Sequence, residues 1–483
     1  MTTRHPREFF INGQWVRPAQ DSTFELINPA TEASYLRVAE AQPDDMARAI
    51  AAARNAFDHG PWPRMSPPQR AGYLRALATA IEKRAEQFAA LWPMQVGATI
   101  GLATHTIPTT VETFRSYAAL AESFPFVERK KPAWGGEVGL VVREPVGVVG
   151  AIVPWNSPFP LLCWKTAPAL LAGCTLILKA SPEAPLDALV FAECVEEVGL
   201  PPGVVNVVTA DRAVSELLVR SPLVDKITFT GSTAAGKRIA SIAGERIARL
   251  SLELGGKNAA VILDDADLDL AARALTTTAT FLAGQACGAM ARAIVTRSRH
   301  DRFVDALADA YRALKLGDPF DPTTQVGPLA TARQRERVLG YIDKGIAEGA
   351  RLVTGGKRAL DRGYFVEPTV FANVDNRSTI GREEIFGPVI CVIPADDEAD
   401  AVRLANDTDF GLSASVFTRD VERAYQVARQ LRSGTVGHNA NRGDFTIGWG
   451  GFKQSGIGRE GGVQGLMPFL ESKTVILDGE VQS

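Results

Sequence analysis

The sequence predicts an α/β protein: a doubly wound, mostly parallel sheet, then a second α/β unit, with two strand-like segments outside both. Three observations carry this reading. Between residues 146 and 256 short apolar runs alternate with helical stretches. A second alternating region runs from about 258 to 437. A glycine-bearing turn, Phe229-Thr-Gly-Ser-Thr-Ala-Ala-Gly-Lys-Arg, follows one apolar run and opens a helix. Strands separated by helices of this length need crossover connections, so the strands lie parallel with helices on both faces.

The elements follow in order. From Asp44 to about Leu91 apolar residues recur at three and four, as in Tyr73-Leu-Arg-Ala-Leu-Ala-Thr-Ala-Ile, and read as helices. The first alternating region gives buried strands over Val146–Val153, Thr175–Leu178, Val204–Val208 and Lys226–Thr230. Its helices are Leu161–Ala172, Leu186–Val198, Ala213–Arg220 and Ala235–Ala243. The second region gives strands at Ala259-Ala-Val-Ile-Leu, Ala293-Ile-Val-Thr and Ile390-Cys-Val-Ile, with a long polar helix over Thr331–Glu348. Glu137–Arg143 and Lys473–Leu477 are β-branched and read either as ordinary edge strands or as edges that pair with another subunit.

Composition sets limits. At 483 residues the chain has ample length for several domains and a large core. A net charge of -3 gives no electrostatic case for nucleic acid or an anionic membrane as partner. The longest apolar run, Ala167 to Leu178, falls short of the roughly 20 residues of a spanning helix. The N-terminus lacks the apolar stretch of a secretory signal. Five scattered cysteines without a CxxC pair read as free thiols in a reducing compartment, and five dispersed histidines give no metal-ligand spacing. The expectation is therefore a cytoplasmic protein with no metal.

Four motifs could carry chemistry, and each has a plainer reading beside it. In the 229–238 turn, Gly231 and Ser232 precede a helix N-terminus whose free N–H groups suit a phosphate; a simple strand-to-helix turn has the same pattern. Arg238 stands where a P-loop needs a hydroxyl for magnesium, which argues against a nucleotide hydrolase. Glu253 lies between Leu252 and Leu254, where desolvation would favour a base near neutral pH; the alternative is a surface ion pair. Asn156, in Pro154-Trp-Asn-Ser-Pro-Phe-Pro, could donate to an oxyanion or cap the following helix. Cys287 sits in Gly284-Gln-Ala-Cys-Gly-Ala-Met-Ala-Arg, between two very small residues that leave its sulfur accessible; a buried thiol is the alternative.

Taken together, these segments resemble the NAD(P)-dependent aldehyde dehydrogenase superfamily over nearly the whole chain. The resemblance runs from Phe10-Ile-Asn-Gly-Gln-Trp through Pro154-Trp-Asn, Leu252-Glu-Leu-Gly-Gly-Lys, Gly284-Gln-Ala-Cys and Glu384-Ile-Phe-Gly-Pro to Gly450-Gly-Phe-Lys-Gln-Ser-Gly-Ile-Gly-Arg-Glu. It implies an aldehyde-dehydrogenase-like fold: a Rossmann-type domain for NAD over 1–126 and 147–255, a catalytic domain over 256–456, and a small β oligomerisation element from 127–146 and 457–483. It implies Cys287 as nucleophile, Glu253 as base of thioester hydrolysis, and Asn156 at the oxyanion. Cofactor contacts would come from Ile152, Val153, Pro154, Trp155, Lys179, Ser181, Gly231, Ser232, Gly255, Glu384 and Phe386. A small-molecule aldehyde is the implied partner, together with further copies of the chain as a dimer or tetramer.

The sequence departs from the family pattern in three places. Where many NAD-preferring members carry a glutamate three residues after the ribose lysine, this chain has Pro182 with Glu183 one step later, which leaves NAD against NADP open. Ser157, Ala286 and Gly288 are small where bulk is common, and Trp449 offers an aromatic wall. The expected pocket is a roomy apolar tunnel for a bulky or aromatic aldehyde, with Arg442 as the one nearby group that would favour a semialdehyde carboxylate.

Overall fold

A computed structural model describes residues 2–480. Its largest sheet has eight strands. Five are parallel, in the spatial order Arg249–Glu253, Lys226–Thr230, Val148–Ile152, Thr175–Ala180 and Val205–Thr209. The chain winds outward from Val148–Ile152 through the next two strands, then returns to place Lys226–Thr230 on the other side. The topological switch point therefore lies between Val148–Ile152 and Lys226–Thr230, where ligands of such sheets bind beyond the strand ends.

Both faces of this sheet are covered, which explains its apolar runs. In Val148–Ile152, Val149 and Ala151 enter the core beneath the helices Pro67–Glu82, Pro158–Ala172 and Leu186–Val198, while Val148 and Ile152 enter the opposite core beneath Pro43–His59. A second sheet has seven strands, ordered Arg351–Thr354, Thr369–Ala372, Val389–Ala395, Arg292–Thr296, Ala259–Ile262, Ser413–Phe417 and Thr435–His438. All are parallel except the first, and the sheet is likewise buried on both sides. Val127–Lys130, Val138–Pro145 and Leu470–Leu477 form a separate antiparallel sheet, with Leu470–Leu477 paired along its whole length to Val138–Pro145.

The expected elements lie where the periodicities place them, with shifted ends, except that Glu137–Arg143, read as an edge, is paired on both sides as the middle strand of its sheet. The helix expected from Leu161 begins at Pro158, because a proline at the first turn presets the helical φ and loses no hydrogen bond. Val148–Ile152 is shorter at both ends than the run 146–153. Two segments cross between the units. The hairpin Thr23–Ile27/Ser34–Ala39 reaches the second unit, with Thr31 accepting from Arg362 at 2.6 Å and Glu32 from the Gly363 N–H at 2.8 Å. Gly456–Ile457 returns to the first sheet and pairs antiparallel with Leu252 and Glu253. Among the described residues, no helix is long and apolar enough to cross a membrane.

Candidate active site

The strand ends at the switch point meet the second unit in one cleft. Val153, Pro154 and Trp155 continue from Val148–Ile152, and the Val153 N–H donates to the Lys179 carbonyl at 3.1 Å. Trp155 meets Phe386 of the second unit edge to face at 5.6 Å. From Lys226–Thr230 the chain turns at Gly231, whose N–H donates to the Glu253 carbonyl at 3.0 Å. Ser232 then caps the 13-residue helix Thr233–Glu245 by accepting from the Ala235 N–H.

These groups fit a dinucleotide. The helix start offers N–H donors for a pyrophosphate. Lys179, at the end of Thr175–Ala180, is buried, which pulls its pKa down to about 8, while Glu183 and Asp211 pull it back up. Ser181 donates its hydroxyl to Glu183, and Glu183 also pairs with Arg333 at 3.4 Å. In the second unit Glu384 accepts from the Gly256 N–H at 2.9 Å. Burial pushes this carboxyl up to about 7, and its oxygens are suited to accept from ribose hydroxyls.

Cys287 lies on the loop between the helix Leu268–Ala279 and the strand Arg292–Thr296. Gln285 pins that loop: its side chain donates to the Leu282 carbonyl at 3.0 Å and accepts from the Ala330 N–H at 2.9 Å. Gly284 turns with φ +74°, and a Cβ there would overlap the Gly387 carbonyl. Asn258 donates to the carbonyls of Cys287 at 2.7 Å and Ala289 at 2.9 Å, and Asn441 donates to that of Gly288 at 3.0 Å. Gly256 lets the two loops approach: a Cβ on it would stand 2.5 Å from the Cys287 carbonyl oxygen. Arg292 plays no part in the cleft. It is buried and donates to carbonyls of Lys257, Leu404 and Ala405 and to Asn376, so it anchors the strand that follows.

Cys287 is half-buried, whereas the other four cysteines are fully buried. Burial pushes its thiol up to about 12, and the carboxylates of Glu384 and Glu253 add to the rise. Glu253, in the strand Arg249–Glu253, is 3% exposed. Its carboxyl is held well above the usual carboxylate range by burial and by Glu460, with Lys165 and Arg459 opposing. The surface ion-pair reading of Glu253 therefore fails. Asn156 is buried as well, and its side-chain amide donates to the Gln285 carbonyl at 2.9 Å. Ser157, not Asn156, occupies the cap position of the next helix, so the capping alternative also fails.

Trp449 stands over Gly288: a Cβ on that glycine would lie 3.2 Å from the indole ring. Phe445 follows, 5.5 Å from Trp449, and lies flat on Trp164 at 3.4 Å with 12° between the rings. Ser157, Ala286 and Gly288 are half-buried. Arg442 is exposed.

Sequence reasoning missed several groups. Lys165 and Glu460 form a buried ion pair beside Glu253, with side chains 0% and 5% exposed. Lys165 was hidden inside an apolar helix pattern. Glu460 sits in the quoted Ile-Gly-Arg-Glu run but carries no local signal of burial. Asn258 and Asn441 act through backbone carbonyls, which no side-chain spacing reveals.

The sequence profile of the aldehyde dehydrogenase family matches residues 15–475. The chain is 43% identical over 480 residues to a geranial dehydrogenase of Castellaniella defragrans, covering 99% of this chain and 100% of that one. It is 40% identical to a betaine aldehyde dehydrogenase of Sinorhizobium fredii, with 98% of each covered. The structure resembles the Mycobacterium tuberculosis aldehyde dehydrogenase complexed with NAD+ at a TM-score of 0.95 and 43% identity, covering 98% of both chains.

Proposed function

The chain belongs to the aldehyde dehydrogenase family and oxidises an aldehyde to the acid with NAD; we propose that bulky apolar or aromatic aldehydes are its substrates. In this reading Cys287 is the nucleophile, Glu253 the base and Asn156 the oxyanion donor. The observation that carries it is a half-buried thiol two residues from Gln285, whose carbonyl holds the Asn156 amide, together with a buried Glu253 carboxyl oxygen that has no partner among the described residues. We assign cofactor binding to the unit of the eight-stranded sheet (1–126 and 147–255) and the reacting thiol to the unit of the seven-stranded sheet (256–456).

The Cys287 thiol gives its proton to Glu253 as its sulfur attacks the aldehyde carbon, and the carbonyl oxygen takes the developing charge. One N–H of the Asn156 amide is held by Gln285, which aims the amide and leaves its second N–H, with the Cys287 N–H, to stabilise that oxyanion. Held between the helix start at Ser232 and Glu384, NAD+ would supply the two-electron acceptor for the hydride of the adduct, so that Cys287 is left carrying a thioester. Glu253, having released the first proton to solvent, takes a proton from water as the water attacks the thioester. The C–S bond then breaks, freeing the acid and the Cys287 sulfur. The Oε2 of Glu253 is buried and free of any partner among the described residues, so it can accept that proton. The apolar surroundings of Glu253 make its carboxylate a stronger base than an exposed one.

Gly288 under Trp449, with Ser157 and Ala286 small, supports a wide site with an aromatic wall. Glu183 beside Lys179 supports NAD over NADP, because its negative charge would oppose a 2′-phosphate. The open edge Leu470–Leu477, with Ile476 exposed, supports a dimer or tetramer, and chromatography with light scattering would read the mass. A cytoplasmic location accords with the free thiols.

The test is the initial rate of nicotinamide reduction with acetaldehyde, long aliphatic, terpenoid and aromatic aldehydes and succinic semialdehyde, each with NAD and NADP. Higher kcat/KM for the bulky apolar compounds with NAD is the expected outcome. Preference for the semialdehyde would overturn the pocket reading, and no reduction at all would overturn the catalytic one.

A further inference from the structure

A cavity of about 490 Å³ lies between the helix Ile100–Ser123 and the loop 443–446. Trp164 and Phe445 line one side and a run of hydroxyl residues, Thr106 to Ser116, the other. The ladder Trp164–Phe445–Trp449 connects this cavity to Gly288 and hence to Cys287. Phe445 lies flat on Trp164, on a loop flanked by Gly443 and Gly448.

The charge of the walls has one sign. Asp444 and Glu112 line the cavity, and among the described residues no lysine, arginine or histidine does. Glu112 is paired outward with Arg115. Asp444 accepts from the N–H of Thr446 at 2.8 Å and from its hydroxyl at 2.6 Å, both on Oδ1, and these bonds hold its carboxyl below the usual range. It is therefore an anion at every working pH. The hydroxyls of Thr109 and Thr110 give their protons to the Thr106 carbonyl at 2.9 and 2.8 Å, so toward any ligand their oxygens act as acceptors. The vestibule thus offers aromatic faces and hydroxyl groups, those of Thr109 and Thr110 as acceptors, and the carboxylate of Asp444 opposes negative charge.

We propose that this cavity is the outer part of the substrate site and selects aromatic aldehydes whose far end bears a neutral hydrogen-bond donor, with Asp444 excluding those that bear a carboxylate. The proposal rests on Cys287 as the reacting thiol, since the aromatic ladder leads there. Arg442 and Asp444 are both exposed, but only Asp444 lines the cavity, so the carboxylate is the charge a ligand there meets.

The experiment is calorimetric titration of the NAD+-saturated Cys287→Ala protein with para-(hydroxymethyl)benzaldehyde and para-carboxybenzaldehyde. Binding is read without turnover, so the result stands apart from the catalytic assignment, which fails separately if Cys287→Ala still reduces NAD+. The hydroxymethyl compound should bind roughly tenfold more tightly, from the loss of a donor contact and the repulsion by Asp444. Adding Asp444→Asn should shrink that ratio at least roughly threefold, chiefly by tightening the carboxylate compound, whereas adding Arg442→Ala should not shrink it. Equal or tighter binding of the carboxylate compound, or a ratio that Asp444→Asn leaves in place, would overturn the proposal. A ratio that moves with Arg442→Ala alone would instead assign the selectivity to Arg442.

Discussion

Asn258 holds Cys287 by its backbone: the Asn258 amide donates to the Cys287 carbonyl at 2.7 Å and to the Ala289 carbonyl at 2.9 Å, while its oxygen accepts from the Ser413 N–H at 2.9 Å. One side chain thus fixes both sides of Gly288 to a strand of the second sheet. The loop that carries the proposed nucleophile is thus held through its backbone carbonyls.

Replacing Asn258 with Ala removes these bonds and leaves a buried N–H unpaired, a cost of about 1–3 kcal/mol in stability. Freedom of the loop should lower kcat by about tenfold to a hundredfold. Asn258→Asp should be worse, because a carboxylate faces two carbonyls it cannot donate to. Thermal unfolding and steady-state rates would check both; equal activity in the Asp variant would refute the positioning role.

Cys287→Ala should lower turnover by at least about a thousandfold, since no other group can form the covalent intermediate. NAD+ affinity should stay near that of the parent, because the cofactor contacts lie on other segments. A dehydrogenase rate within tenfold of the parent would remove Cys287 from its role.

Glu253→Gln keeps the shape of the side chain and loses the proton acceptor. Acid release should slow by about 10²–10⁴-fold. Stopped-flow absorbance would then show a burst of reduced cofactor followed by slow turnover. A steady-state rate equal to the parent would show that another group activates the water.

Glu384 gives a pH dependence of fixed sign. Its carboxyl titrates at about 7, and the ionised form is the better acceptor for ribose hydroxyls. Binding therefore favours loss of its proton, and NAD+ affinity should rise as pH increases through about 7. Glu384→Gln cannot ionise and should flatten that rise. Calorimetry between pH 6 and pH 8.5 tests this, and a parent Kd independent of pH would contradict it.

The sequence by itself determined the periodic elements and the reactive residue types. Lys226–Thr230 and Leu186–Val198 were legible because burial on both faces, or a helical repeat, leaves a local pattern. Cys287 between Ala286 and Gly288, and Glu253 between two leucines, showed the residue types of a nucleophile and a buried base. Whether Glu253 was an exposed ion pair or Asn156 a helix cap could not be read, because burial and hydrogen-bond partners depend on segments far away in the chain. The tertiary structure decided those points by bringing Glu460, 207 positions beyond Glu253, and Gln285, 129 beyond Asn156, into contact range. It also decided the wall of the cavity beside Trp164. Trp164 comes from one segment and the neighbours Asp444 and Phe445 from another, and only packing makes them one wall. Sequence spacing reports local geometry, while the electrostatics of a site are set by whatever the fold packs around it.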